Sequence, residues 1–518
     1  MKHIIMVAAE NDSLINGKVG GLADVIRDLP NALVEYEFEI TVITPAYGFL
    51  HKENPSKFLT DVYFPFGGKL LEGKFFEVVP KTVHQKVTHL VFEHSAIRGN
   101  PIYSQDLPDQ PFAQDATKYA LFCSAVGQYL KTLPSSSIVH LHDWHMGTMF
   151  LLRELHPEFI HLKNLKHVFT IHNLGYQGNR PISGKLASVE QWFPELFNNT
   201  EWIERWKDHR YEEPQFTPLA AGIRFADKTN TVSPTYAEEI LKPSDHKNGF
   251  YGGEGLEQYL QQAKKENRLF GILNAIVYPT HSEVTPISFT ALCELIITEI
   301  NKENPKDSKE YFDLLVSRIK KYRMSQPKVF LTSVTRVTEQ KVRLLFEKGS
   351  DGKYAIDKIL ETLDRENGFY LLLGNGTTEF EEKCITAFKQ YERLIYLKLY
   401  SPPLAQALYA NGTLFMMPSS FEPCGISQMI AMQNGQPCIV HATGGLKDTV
   451  IDGVNGFQFT GENIREQVDN FIATTNKALD NHLHDKARWE KIKSEASRAR
   501  FEWKESAKKY IEQLYDSH

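Results

Sequence analysis

At 518 residues, 42% hydrophobic and 24% charged, the chain is too long for one compact core and reads as two α/β domains in a water-soluble protein. A net charge of −6 supplies no basic field for nucleic acid or an anionic membrane surface, and no apolar run approaches bilayer-spanning length. The five cysteines (Cys123, Cys293, Cys384, Cys424, Cys438) lack CxxC spacing, which argues against a disulfide frame or a zinc site and for a cytoplasmic location.

The chain opens on His3-Ile-Ile-Met-Val-Ala-Ala9, a short apolar run halted by Glu10, hence a first strand and not a signal peptide. Lys18-Val-Gly-Gly-Leu-Ala-Asp-Val25 follows as a Gly-Gly turn opening a helix. Lys18 is either a cation placed where a phosphate would lie or a plain surface lysine. Strand-like runs recur at Glu39–Thr44, Val87–Glu93, Ile138–His142, His167–His172 and Lys228–Val232, with a helical period over Asp115–Leu133. Residues Asn179–Pro218 read as loops and short helices, and Lys242–Gly255 as a glycine-rich loop. The pattern breaks around Leu273–Pro279, and Glu283–Gln326 reads as mainly helical. Alternation restarts at Lys328–Val334 and continues through Tyr370–Leu373, Leu394–Tyr400, Thr413–Pro418 and Pro437–Val440, before a helical end from Ile464 to His518. Strand–helix alternation occurring twice predicts two mostly parallel sheets.

The most informative segment is Pro418-Ser-Ser-Phe-Glu-Pro-Cys-Gly-Ile-Ser-Gln428 with Pro437-Cys-Ile-Val-His-Ala-Thr-Gly-Gly-Leu446. It places two helix N-termini beside one carboxylate, Glu422, at the carboxyl edge of a sheet. Backbone N–H groups there suit phosphate, whereas a carboxylate suits a centre that becomes positive. A nucleotide sugar meets both demands; the plainer alternative is an ordinary doubly wound sheet with turn glycines and a solvated glutamate. Gly20-Gly21 and Gly444-Gly445 repeat one strand–turn–helix pattern, which suggests paired domains whose loops face a shared cleft. Arg336 and Lys341 straddle a strand-to-helix turn and can reach one anion, neutralising a departing diphosphate. Their alternative is a surface pair. In His140-Leu-His-Asp-Trp-His145, the residues His142, Asp143 and His145 cluster as metal ligands do, but a ligand distant in sequence is missing. No metal is therefore expected; Asp143 and His172 are read as hydrogen-bonding sugar hydroxyls, and Trp144 as either a stacking or a packing surface.

These motifs together resemble the bacterial glycogen synthase and plant starch synthase family, over nearly the whole length. The matching stretches include Lys18–Val25, His142-Asp-Trp-His145, Thr170–Gly178, Asp227 with Thr231–Ala237, Gly271-Ile-Leu-Asn274, Arg336 with Gln340-Lys341, Glu422-Pro-Cys-Gly425 with Gln428, and Thr443-Gly-Gly-Leu446. The resemblance implies a GT-B fold: two Rossmann-like doubly wound domains facing a cleft, with a C-terminal helix crossing back. Its implied division is 1–282 (acceptor side), a helical connector 283–327, a nucleotide-sugar domain 328–490, and a returning helix 491–518. It implies transfer of glucose from ADP-glucose, with retention, to the non-reducing 4-hydroxyl of an α-1,4-glucan or maltooligosaccharide, without cofactor or metal. Lys18, Gly20, Gly21, Arg336, Lys341, Thr443, Gly444 and Gly445 would hold the donor. Glu422, His172, Asp143, Arg336 and Lys341 would serve the reaction. The chain departs from the family pattern at Ala220, Val277, His281, Val342, Ser420 and His441. Open alternatives are a retaining transferase with another donor, such as UDP-glucose, or another acceptor, and a catalytically weak homologue that binds glucan or nucleotide.

Overall fold

Seventeen strands can be followed in the computed structural model, which describes residues 2–278, 286–302, 309–325 and 327–516. The expected boundary at 282/283 and the departure at His281 lie outside the described residues. By contact the chain divides into two units. The first holds Met1–Pro243, Gly252–Asn274 and Trp503–His518; the second holds Ser244–Tyr251 and Ala275–Glu502. A short piece of the first half, residues 244–251, thus belongs to the second unit. The return to the first unit starts at Trp503, with the helix Lys486–Arg498 still in the second.

In the first unit the parallel strands are β1 (His3–Val7), β2 (Glu39–Pro45), β5 (Val87–Glu93), β6 (Ile138–His142), β7 (Lys166–Ile171), β10 (Lys228–Thr231) and β11 (Leu269–Gly271). They join β3 (Ser56–Phe66) and β4 (Lys69–Val78) in a nine-stranded sheet of order β11-β10-β7-β6-β1-β2-β5-β4-β3. Ile4 to Val7 are fully buried, as expected for a central strand covered by helices on both faces. The antiparallel β3–β4 hairpin is absent from the sequence reading. Its signal is the Gly67-Gly68 pair, at φ +62° and +70°, between two runs rich in apolar residues; such a turn needs residues that accept positive φ. A separate two-stranded piece, β8 (Arg180–Pro181) with β9 (Gln215–Phe216), lies in the loop-rich region.

The second unit has six parallel strands: β12 (Val329–Val334), β13 (Gly368–Leu373), β14 (Leu394–Leu397), β15 (Leu414–Met417), β16 (Cys438–His441) and β17 (Gly456–Phe459). Their order is β14-β13-β12-β15-β16-β17. Both sheets therefore have the Rossmann arrangement. The chain winds outward from β1 on one side, then returns to place β6 on the other; β12 and β15 repeat the pattern. All five cysteines are buried and none is in a disulfide. No helix among the described residues is long and apolar enough to cross a membrane.

Packing against β7 is close. The helix Pro218–Phe225 meets that strand through Gly222, where an added Cβ would stand 2.3 Å from the Phe169 ring. Gly222→Ala should therefore cost about 1–3 kcal/mol through overpacking. A shift of the urea midpoint to lower concentration at unchanged slope checks this.

Candidate active site

The residues singled out by sequence lie in the loops and first helical turns that follow the carboxyl ends of strands. In the first unit Lys18, Gly20 and Gly21 follow β1, Asp143 follows β6 and His172 follows β7. In the second, Arg336 and Lys341 follow β12, Glu422 follows β15, and Thr443, Gly444 and Gly445 follow β16.

The Gly-Gly loop of the first unit closes on a carboxylate of the protein itself. Glu10, nearly fully buried, accepts the N–H groups of Val19 and Gly20 at 2.5 Å each and the Tyr103 hydroxyl at 2.5 Å. A Cβ on Gly20 would stand 3.2 Å from Glu10 Oε1, so glycine lets the loop come down onto the carboxylate. The N–H of Gly20, a residue expected to help hold the donor, is thus directed at Glu10. Gly21 opens the helix Gly21–Val34 with open space at its Cβ position. Lys18 binds Asp24 at 2.5 Å, with Asp12 at 3.7 Å. Burial opposes its charge, but Asp24 and Asp12 outweigh that and hold the ammonium above the usual lysine value. Sequence reasoning used Glu10 only as the end of a strand. A carboxylate directly after an all-apolar central strand was the available signal.

Asp143 has φ +60° and ψ 177°, a region that non-glycine residues occupy only when the surroundings enforce it. Its N–H donates to the Thr170 carbonyl at 2.8 Å, and its carboxylate accepts the N–H groups of His172 at 2.7 Å and Asn173 at 3.4 Å. Burial pushes its carboxyl up to about 7, against the pull of those two N–H groups. His172 Nε2 shares a hydrogen bond with His142 Nδ1 at 3.0 Å, and burial lowers His172 to about 3. At neutral pH His172 is uncharged while the Asp143 carboxyl is in mid-titration, and both are held in fixed orientation by these hydrogen bonds. Trp144 is nearly fully buried, edge-on to Tyr119 at 5.8 Å, and a Cβ on Gly178 would fall 2.0 Å from its ring. Of its two readings, packing holds. Among the described residues no group of three or more His, Cys, Asp or Glu is placed to hold a metal.

The second unit places a nearly buried ion pair at its site. Lys341 and Glu422 form a short ion pair, with side chains only 12% and 6% exposed. Glu422 also accepts the Ser419 hydroxyl at 3.2 Å. Its loop is fixed by backbone bonds: Gln340 Nε2 donates to the Phe421 carbonyl at 2.9 Å, and the Ser420 N–H to the Gln340 carbonyl at 2.8 Å. The Gly445 N–H donates to the Glu422 and Pro423 carbonyls at 3.2 and 3.3 Å, so it anchors this loop. Gly444, at φ +44°, could carry no side chain, because a Cβ would lie 1.9 Å from the Glu422 carbonyl oxygen. The Thr443 carbonyl accepts the Leu446 N–H at 3.1 Å, which closes the first turn of the helix. Arg336 is exposed, and its side chain has no ion-pair partner among the described residues. Tyr251 stacks on Phe421, with ring centroids 5.4 Å apart, beside the key carboxylate.

The departures can be placed as well. Ala220 and Val342 are buried, while Val277 is exposed. His441 donates from Nδ1 to the Ser419 carbonyl at 3.0 Å and stacks on Phe459; burial lowers it to about 4, so it carries no charge at neutral pH.

Two Rossmann-like units with polar and charged groups at their switch points define a glycosyltransferase of the GT-B class. Residues 3–262 match the starch synthase catalytic domain family, and residues 297–492 match glycosyl transferases group 1. The chain is 30% identical to a glycogen synthase of Oceanobacillus iheyensis, over 99% of this chain and 97% of that one. It is 31% identical to a glycogen synthase of Desulfitobacterium hafniense, over 96% of each. Its fold matches the catalytic domain of starch synthase IV from Arabidopsis thaliana with a TM-score of 0.73 at 23% identity, covering 99% of both chains. The chain belongs to the starch synthase catalytic domain family.

The buried titratable groups predict the pH dependence of stability. His140, His167 and His172 are lowered to about 3, below the unfolded value near 6.5, so the unfolded state takes protons first and stability falls as pH drops below about 6.5. Asp143 works in the opposite sense. Its raised carboxyl binds a proton in the folded state before the unfolded one, and that contribution is lost as pH rises from about 4 to about 7. Asp143→Asn should therefore gain stability relative to wild type across this window, with a constant offset above it. Urea unfolding of both proteins between pH 4 and 8.5 checks the sign; a difference that does not vary with pH refutes it.

Proposed function

We propose that this glycosyltransferase extends α-1,4-glucan by transferring glucose from ADP-glucose, with retention, to the non-reducing 4-hydroxyl of glycogen or a maltooligosaccharide. The observation that carries the reading is the Lys341–Glu422 pair at the second switch point. Breaking a sugar–phosphate bond leaves negative charge on the phosphate and positive charge on the sugar carbon. A lysine and a carboxylate already in contact place one countercharge on each side of that bond, fixed before reaction. The relatives' names and the ADP and acarbose bound in the Arabidopsis structure support the donor and acceptor assigned here.

Arg336 and Lys341 hold the diphosphate, with Thr443, Gly444 and Gly445 forming the loop under it. Lys18 exchanges Asp24 for a phosphate oxygen, helped by Gly20 and Gly21, which set the loop's path. Glu422 stabilises the oxocarbenium-like sugar. Asp143, which titrates near neutral pH, and the uncharged His172 hold hydroxyls of the sugar or acceptor. The incoming 4-hydroxyl attacks from the face that the diphosphate leaves and gives its proton to a phosphate oxygen. Fixed cations supply the charge that a metal supplies elsewhere, so the reaction needs none.

Glu422→Gln should lower kcat by roughly 100-fold or more while ADP affinity stays nearly unchanged, because the carboxylate acts on charge that develops only in the transition state. Product formation from ADP-glucose and maltooligosaccharide, with ADP binding by calorimetry, tests the pair of effects together. A variant that keeps most of its activity removes Glu422 from the mechanism. UDP-glucose in the same assay tests the donor.

Arg336→Ala and Lys341→Ala should each weaken ADP binding and slow transfer, at about 2–4 kcal/mol in the transition state. Activity should survive a chelator. Inhibition reversed by one divalent ion would replace this fixed-charge clamp with a metal.

A further inference from the structure

We propose that Tyr515, near the end of the chain, is a positioning residue for His172 and Asp143, acting through His140 and Thr170. Its catalytic consequence rests on the roles given above to Asp143 and His172. The geometry does not.

The segment Trp503–His518 belongs to the first unit, where Tyr510 and Tyr515 are buried among the central strands. Tyr515 reaches His140 Nδ1 at 2.8 Å, and His140 Nε2 reaches Thr170 Oγ1 at 2.6 Å. Thr170 contacts Asn230 Oδ1 at 2.6 Å, and Asn230 Nδ2 donates to the Tyr510 hydroxyl at 3.2 Å. The chemistry of these groups orders the protons. A carbonyl oxygen only accepts, so Thr170 uses its hydrogen on Asn230. Thr170 Oγ1 must then accept from His140 Nε2–H. Burial keeps His140 neutral, with one ring proton, so Nδ1 is bare and accepts from Tyr515.

Two paths lead from this network to the site. The Thr170 carbonyl receives the Asp143 N–H, at the strained backbone described above, two residues before His172. The His140 ring packs on His142 at 4.2 Å between centroids, and His142 bonds His172. His140, His142, Thr170 and Asn230 are all fully buried, so no solvent replaces a lost partner.

The test is Tyr515→Phe in the full chain, which keeps the ring and removes one hydroxyl. We expect kcat to fall roughly tenfold, the size of one buried hydrogen bond, with KM for the nucleotide sugar unchanged. Thr170→Val should give a similar loss, and the double variant no further loss, since both break one network. Nitrogen NMR of histidine-labelled protein without substrate should show His140 protonated at Nε2 in wild type. In Tyr515→Phe the His140 and His172 signals should move together. Full kcat in Tyr515→Phe, additive losses, or a His172 signal that stays in place while His140 moves would each overturn the proposal. A wild type inactive with every nucleotide sugar would refute the proposed function alone, leaving the NMR comparison to decide this inference.

Discussion

In each unit the first strand pairs on one side with the second and on the other with a strand reached only after the chain has covered the far side of the sheet. In sheets of this order right-handed crossovers carry helices to opposite faces and leave a crevice at the switch point, which falls here at β1–β6 and at β12–β15. Loops leaving neighbouring strand ends must meet there. Lys18 and Asp143 occupy the first such place, and Arg336, Lys341 and Glu422 the second.

The two places differ in electrostatic character. In the first unit, beside the half-exposed Lys18 with its aspartates, burial favours the neutral forms of the deeper groups: His172 is uncharged at neutral pH and the Asp143 carboxyl titrates near it. Such groups exchange hydrogen bonds with hydroxyls at little cost in desolvation. The second unit keeps a nearly buried ion pair, Lys341 with Glu422, braced by Ser419 and the Gly444-Gly445 turn. Removing one member of such a pair leaves the other charged and unpaired, which costs about 3–5 kcal/mol in other proteins. Function and stability are therefore coupled at Glu422 in a way that they are not at Arg336, whose side chain is exposed.

Most parallel strands were legible because they are short, near-continuous apolar runs, although the short edge strands β11 and β17 were not read. β2, β5, β6 and β12 fall within a residue or two of their sequence ranges. The β3–β4 hairpin was not, since its strands carry exposed apolar side chains such as Tyr63 and Leu70 that blur the alternation. At the site, types and spacing indicated which residues would stand at strand ends. They could not show where the hydrogen bonds of a glycine turn go: Gly20 serves Glu10, and Gly445 serves the Glu422 loop. Nor could they show that Trp144 is filled in behind by Gly178, because that contact joins residues on separate loops.

The cysteines are unevenly shared. Cys123 lies in the first unit, while Cys293, Cys384, Cys424 and Cys438 lie in the second. Burial pushes Cys384 up to about 12 and Cys293 up to about 11, and raises Cys123 and Cys438 further. The thiolate is the reactive form, so the native protein should resist alkylation until the backbone around a cysteine opens. Nature has thus given each unit its own chemical clock. The mass added by a thiol reagent, one label or four, would tell which of the two sheets came apart first.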